Sequence, residues 1–236
     1  MTREEKIEAL KEFSDLCDQA RACITGEPYR HTEIEISLAE EKPVAIGSAD
    51  LQQLSSMVLS CQRCRLCQGR NHAVVGEGAM HPLLMVIGEG PGADEDATGR
   101  PFVGRSGQFL DSWLSPIGLS RQKNVYIANI VKCRPPQNRT PLPDEVELCV
   151  PYVKRQVQLV RPQAILLSGA TAAHAMLGRV EGVGRLREQT FQLDGIPTVV
   201  TYHPAGVLRN PTLKRDVWND IKRIAGILRL PILRGR

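Results

Sequence analysis

The chain has 236 residues, a formal net charge of +4 and seven cysteines. That length suits one substantial core with an appendage rather than two independent domains. No apolar run approaches the about 20 residues of a membrane span and nothing resembles a signal peptide, so a soluble, intracellular protein is expected.

Charge is unevenly spread. Residues 1–50 hold 6 Lys and Arg against 12 Asp and Glu, net −6, which leaves +10 on residues 51–236. The larger part therefore suits a polyanionic partner, because Lys and Arg that neutralise phosphates release counterions. Cysteines in a cytoplasmic chain argue for a metal site over a disulfide scaffold.

In chain order, Thr2 and Glu5 form a capping-box start, and Ile7, Leu10, Phe13, Leu16, Cys17 and Ala20 follow at helical spacing. Residues 26–47, rich in proline and glutamate without a period, read as a linker. A short helix over 49–59 leads into "CQRCRLC", with Cys61, Cys64 and Cys67. Beyond it, four short apolar runs, "LLMVIG", "VYIANIV", "AILLSG" and "PTVVTY", alternate with helical patterns over 106–117, 143–160 and 171–177, and a last helix covers 213–228. Such alternation predicts an α/β fold, a three-layer sandwich around a central four-stranded parallel sheet, with an N-terminal helical extension. The expected parts are residues 1–47 (acidic helix and linker), 48–230 (the main domain) and 231–236 (a basic tail).

Ligands of open α/β sheets bind beyond the carboxyl ends of the strands, and the unusual residues fall there. The loop "GEGPG" after the first strand lacks both the P-loop Lys-Ser/Thr and dinucleotide spacing. Gly88, Gly90 and Gly92 would let the backbone approach a flat ligand, while Glu89 and Glu95 add carboxylates able to hold a water. Phe102 sits among glycines in "TGRPFVG", Asn129 ends the second strand, and His203 opens "HPAGVLRNP". That last segment offers an apolar side chain, Leu208, and a cation, Arg209, the composition that enters a duplex and holds it open. Cys61 and Cys64 form C-x2-C, and Cys133 and Cys149 have fifteen residues between them. Four thiolates suit zinc or an iron–sulfur cluster, and spacing does not separate the two.

Together, "CQRC", "GEGPGADEDATGRPFVG", "YIANIVKCRPPQNRTPLPDE", "SGATAAHAMLG" and "YHPAGVLRNP", in this order, resemble the family 4 uracil-DNA glycosylases, over residues 51–228. The resemblance implies a monofunctional enzyme that flips uracil out of single- or double-stranded DNA and hydrolyses its glycosidic bond. An inactive or altered-base DNA-binding member of the superfamily is the alternative. It also implies a [4Fe–4S] cluster on Cys61, Cys64, Cys133 and Cys149, with Cys67 as a spare thiol. Phe102 would stack on the base, Asn129 would read its O4 and N3–H edge, and Glu95 would stand near C5 to reject thymine. His203 would donate to O2, and Glu89 would position the water. Leu208 or Arg209 would fill the gap left by the flipped nucleotide, and Arg209, Lys214 and Arg215 would meet phosphates. A monomer is expected, nucleoid-associated, with a repair or replication partner for the N-terminal extension.

Overall fold

Short, mostly apolar runs suit strands covered on both faces, and four of them build the centre of the sheet in this computed structural model, which describes residues 3–26 and 45–233. Thr2 of the expected capping box, most of the 26–47 linker and residues 234–236 of the tail lie outside the described residues. The chain divides into two compact units, residues 1–44 and 45–236. In the first, helix α1 (Arg3–Thr25) leaves Leu10, Phe13 and Leu16 exposed.

In the second unit, α2 (Leu51–Leu59) starts at Asp50, whose carboxylate accepts the Gln53 N–H while the Gln53 side chain accepts the Asp50 N–H. Next come β1 (Glu77–Gly78), β2 (Leu84–Gly88), α3 (Ala93–Thr98), α4 (Arg105–Leu114), β3 (Val125–Asn129), α5 (Pro143–Val160), β4 (Ala164–Ser168) and α6 (Ala170–Leu177). The chain finishes with α7 (Val183–Leu186), β5 (Thr190–Leu193), β6 (Ile196–Thr201), α8 (Pro204–Arg209) and α9 (Lys214–Ile227). Among the described residues, no helix is long and apolar enough to cross a membrane.

The sheet order is β1-β3-β2-β4-β6-β5. The four inner strands are parallel, as expected, but the sheet is six-stranded because a short antiparallel strand lies along each edge. β1 is only two residues long and has no pattern to read. β5 alternates exposed and half-buried residues and joins β6 through Asp194 and Gly195, both at positive φ (49° and 78°), a two-residue hairpin turn.

Alternate strand residues divide the core into two faces. Met85, Ile87, Tyr126, Ala128, Ile165 and Leu167 point to the layer of α2, α5 and α6. Leu84, Val86, Val125, Ile127, Ala164 and Leu166 point to Leu110 and Leu114 of α4 and Val217, Ile221 and Ile224 of α9. These three layers hold the carboxyl ends of the parallel strands at one rim.

Two segments whose glycines and prolines suggest loops are helical. The acidic stretch forms α3, with Asp94, Glu95 and Asp96 in its first turn, where carboxylates favour the helix dipole. "PAGVLR" forms α8, with Pro204 in its first turn and His203 as its N-cap.

Candidate active site

β2 and β3 end side by side, with Gly88 in register with Asn129. Above them opens a cavity of about 410 Å3 whose lining includes Glu89, Gly90, Pro91, Gly92, Glu95, Phe102, Asn129, His203 and Arg209. Gly88 has ordinary backbone angles, yet a Cβ there would lie 2.5 Å from both Asn129 Oδ1 and Phe102 Cζ. Its missing side chain is what lets the amide and the ring meet across the floor.

The Asn129 side chain is almost wholly buried, and its Oδ1 has no hydrogen-bond partner. Such an orphaned acceptor costs about 1–3 kcal/mol in a folded core and calls for a donor from outside. Below it, the fully buried Lys132 donates from Nζ to the Asn129 carbonyl at 2.9 Å and to Gln156 Oε1 at 2.6 Å. Burial pulls this ammonium down to about 8.

Phe102 has φ +52°, a left-handed conformation costly for a bulky residue. It is held there by the buried Arg121, which donates to the Phe102 and Pro101 carbonyls at 2.7 and 2.9 Å and pairs with Asp111 and Glu77. The ring is buried in the core yet lines the cavity, and its centroid lies 5.7 Å from that of His203.

His203 Nδ1 accepts the Ala205 N–H at 3.2 Å, so the ring proton belongs on Nε2. Burial, assisted by the Arg209 charge, lowers its pKa to about 4. The imidazole is therefore a neutral donor at physiological pH. Glu89 accepts a short hydrogen bond of 2.5 Å from Thr171 Oγ1, at the start of α6. Glu95 lines the cavity, but its carboxylate is occupied by three backbone amides: Gly92 N at 3.0 Å, Val103 N at 2.9 Å and Gly104 N at 3.0 Å. It ties the glycine turn to the segment after Phe102.

Among the basic residues expected on this face, Arg209 lines the cavity, while Leu208 is exposed one residue earlier on α8. Lys214 and Arg215 stand exposed at the start of α9, outside the cavity. The far wall, Asn138, Arg139 and Thr140, went unread in the sequence. Its signal was "PPQNRTP", where Gln137 and Asn138 both take φ +55° and Arg139 grips the fully buried Glu145 with two bonds of 2.7 and 2.8 Å.

The cysteines gather on the opposite side of β3. Cys61, Cys64, Cys67, Cys133 and Cys149 line one small cavity with Lys132 and Tyr152. A single ion needs thiolate donors within about 2.3 Å of one point; among the described residues no group of donors converges in that way, and the thiols ring the space instead. Arg70 donates to Cys133 Sγ at 3.0 Å and the Lys132 N–H to Cys149 Sγ at 3.3 Å. Burial pushes both thiols up, Cys149 to about 11, so their thiolates need a cationic partner. Outward from this ring, Arg65 pairs with Asp144 at 2.8 Å, and the Asn71 backbone and side chain bond the buried Asp96 at 2.9 and 2.8 Å. Asp96 thus ties α3 to the chain just beyond the cysteine run. Cys17 and Cys23 are exposed on α1.

A parallel sheet whose strand ends carry a cavity, an orphaned amide and a neutral imidazole defines a class, and residues 75–222 match the family model of the uracil DNA glycosylase superfamily. The chain belongs to that superfamily. Within it, the chain is 42% identical over 185 residues to the type-4 uracil-DNA glycosylase of Pyrobaculum aerophilum, covering 75% of this chain and 94% of the relative. It is 38% identical to those of Thermotoga maritima (76% and 95% covered) and Saccharolobus solfataricus (74% and 85%). These likenesses put it in the type-4 branch.

Proposed function

We propose that this protein is a monofunctional uracil-DNA glycosylase that hydrolyses the N-glycosidic bond of uracil in DNA and leaves an abasic site. The observation that carries this reading is the buried, partnerless Asn129 Oδ1. Uracil supplies the missing donor, its N3–H, and its O4 accepts from the amide NH2. Cytosine offers an acceptor and a donor in reverse order and leaves both groups unpaired, and a site built to hydrogen-bond its substrate rejects such an analogue by up to about 10⁴–10⁵-fold.

The target nucleotide must leave the stack to reach this floor, and a mismatched or single-stranded uracil does so most cheaply. Phe102 then supports the ring of the flipped base. As the glycosidic bond breaks, N1 keeps the electron pair and the sugar becomes cationic; the water that then bonds to C1′ gives up one proton, which ends on the uracil anion. The neutral His203 donates its Nε2–H to O2 and steadies the departing anion, helped from the Gly88–Gly92 loop by the Gly90 N–H, since Pro91 has none and the Gly92 N–H is held by Glu95. Glu89, fixed by Thr171, orients the water that bonds to C1′ and opposes the sugar's positive charge. Glu95 holds the wall that faces C5, so rejection of a 5-methyl group rests on the segments it ties together. Leu208 and Arg209 enter the space left by the base, and Arg209, Lys214 and Arg215 meet phosphates.

Cys61, Cys64, Cys133 and Cys149 would hold a [4Fe–4S] cluster, a group that supplies a structural cross-link and takes no part in hydrolysis. The ringed thiols and the N–H donors to two of their sulfurs fit it. These cysteines join the segment before β2 to the end of β3 and to α5, so the 134–140 wall and the Asn129 floor are braced from one side. Cys67 remains a fifth thiol beside them. The test is incubation with an oligonucleotide bearing one uracil, followed by alkali: strand scission at the uracil alone supports the reading, and an intact strand refutes it.

A further inference from the structure

A second apolar cavity, of about 160 Å3, opens between α4 and α9. Phe109, Trp113, Trp218, Val217 and Ile221 line it beside Lys214. The chain has only two tryptophans and four phenylalanines, so both tryptophans and a phenylalanine stand in one place. Trp113 meets Phe109 edge-on at 5.1 Å, and the Lys214 ammonium lies 5.8 Å from the Phe109 ring centroid. Phe109 and Trp218 are half-buried and Lys214 is exposed, so rings and cation can be reached from solvent.

Two features direct this cavity toward nucleic acid. One is continuity with the active site: Ser106 lines the catalytic cavity and Phe109 follows three residues on along α4, which puts it on the same face. Arg209 lines the catalytic cavity too, and the chain reaches Lys214 five residues later. The other is charge: residues 51–236 carry +10, and Lys214 lines this opening, with the exposed Arg215 next along α9. An apolar peptide side chain would fill the space but bring no anion to the exposed ammonium; a nucleotide brings a stacking face and an anion together.

We propose that the cavity between α4 and α9 binds an unpaired nucleobase of the DNA strand flanking the uracil, stacked on Trp218 and Phe109 with its phosphate on Lys214. A base inside a duplex is already stacked on its neighbours and cannot enter, so the site favours single-stranded substrate. The inference rests on the assignment of Arg209, Lys214 and Arg215 to the DNA face, and the experiment separates the two.

The full-length protein is titrated with uracil-free oligothymidine, single-stranded or annealed to its complement. Binding is followed by anisotropy of a labelled strand and, in separate titrations with unlabelled strand, by tryptophan emission, which reads only this cavity because both tryptophans line it. The expected result is quenching that tracks single-strand binding and is weak with duplex. Trp218→Leu should lose single-strand affinity by about 5- to 150-fold, the range of one base–aromatic stack, and Trp218→Phe should restore it. Binding seen by anisotropy with unchanged emission, or full single-strand affinity in Trp218→Leu, overturns the proposal while the DNA face stands, and leaves the cavity to a protein partner. Absence of any binding by anisotropy overturns the DNA face itself, and the proposal with it.

Discussion

Replacing Gly88 with alanine tests the geometry of the catalytic floor with a single methyl group. Gly88 has no positive φ, so alanine meets no backbone strain, and every consequence is steric. The new Cβ would stand 2.5 Å from Asn129 Oδ1 and 2.5–2.6 Å from the Phe102 ring, whereas ordinary contacts begin at 3.4 Å. One or both groups must yield by roughly 0.9 Å, and Phe102 is fixed by Arg121 while Asn129 is fixed by the sheet and Lys132. A misplacement of about 1 Å costs about 100-fold in rate, close to 2.7 kcal/mol of transition-state stabilisation, with about 1–3 kcal/mol of overpacking on stability. Single-turnover excision on a uracil oligonucleotide, paired with thermal unfolding, measures both. Gly206→Ala is the control, because Gly206 lines the same cavity but a Cβ there meets nothing within 4 Å. A Gly88→Ala enzyme with native excision rates would refute the reasoning.

Other outcomes follow from the same site. The depressed pKa of His203 stabilises the fold fully above pH 6.5, the unfolded value, and that contribution erodes as pH falls through about 4. Its imidazole NMR signals should show no titration between pH 6 and 8, and a midpoint near 6.5 would contradict the buried neutral donor. Arg209→Ala and Lys214→Ala should each reduce the salt slope of DNA binding by about 1, and an unchanged slope would remove that residue from the phosphate contacts. Anaerobically prepared protein should contain about four iron and four sulfide per chain, and Cys149→Ser should lose both; bound zinc in their place would overturn the cluster assignment.

The parallel sheet was legible because its four strands are short, mostly apolar runs between helical patterns, and α5 was legible to the residue because Pro143 opens it and the period holds through Val160. α3 and α8, six residues each, are too short to display a period, and glycine and proline in "PGADEDATG" and "HPAGVLRNP" resemble loops. The hairpin of β5 and β6 did carry a signal, the Asp194-Gly195 pair. In the site, Glu89, Asn129 and His203 stand out by residue type at strand ends and Phe102 on a glycine-flanked loop, and the structure brings them together around one cavity. Their supports were hidden because they come from far along the chain: Thr171 reaches Glu89 across 82 residues and Arg121 reaches Phe102 across 19. The occupied carboxylate of Glu95 could not be read either, since its three amide partners exist only once α3 is folded.

The central claim is that Asn129 reads the pyrimidine edge, and the most direct test compares excision of uracil and cytosine by the native enzyme and by Asn129→Asp in identical oligonucleotides. The account predicts that the native protein cleaves uracil alone, and that the variant loses uracil activity and gains cytosine excision as its carboxyl group presents a changed donor and acceptor pattern. Full uracil activity with no cytosine excision in Asn129→Asp would contradict it.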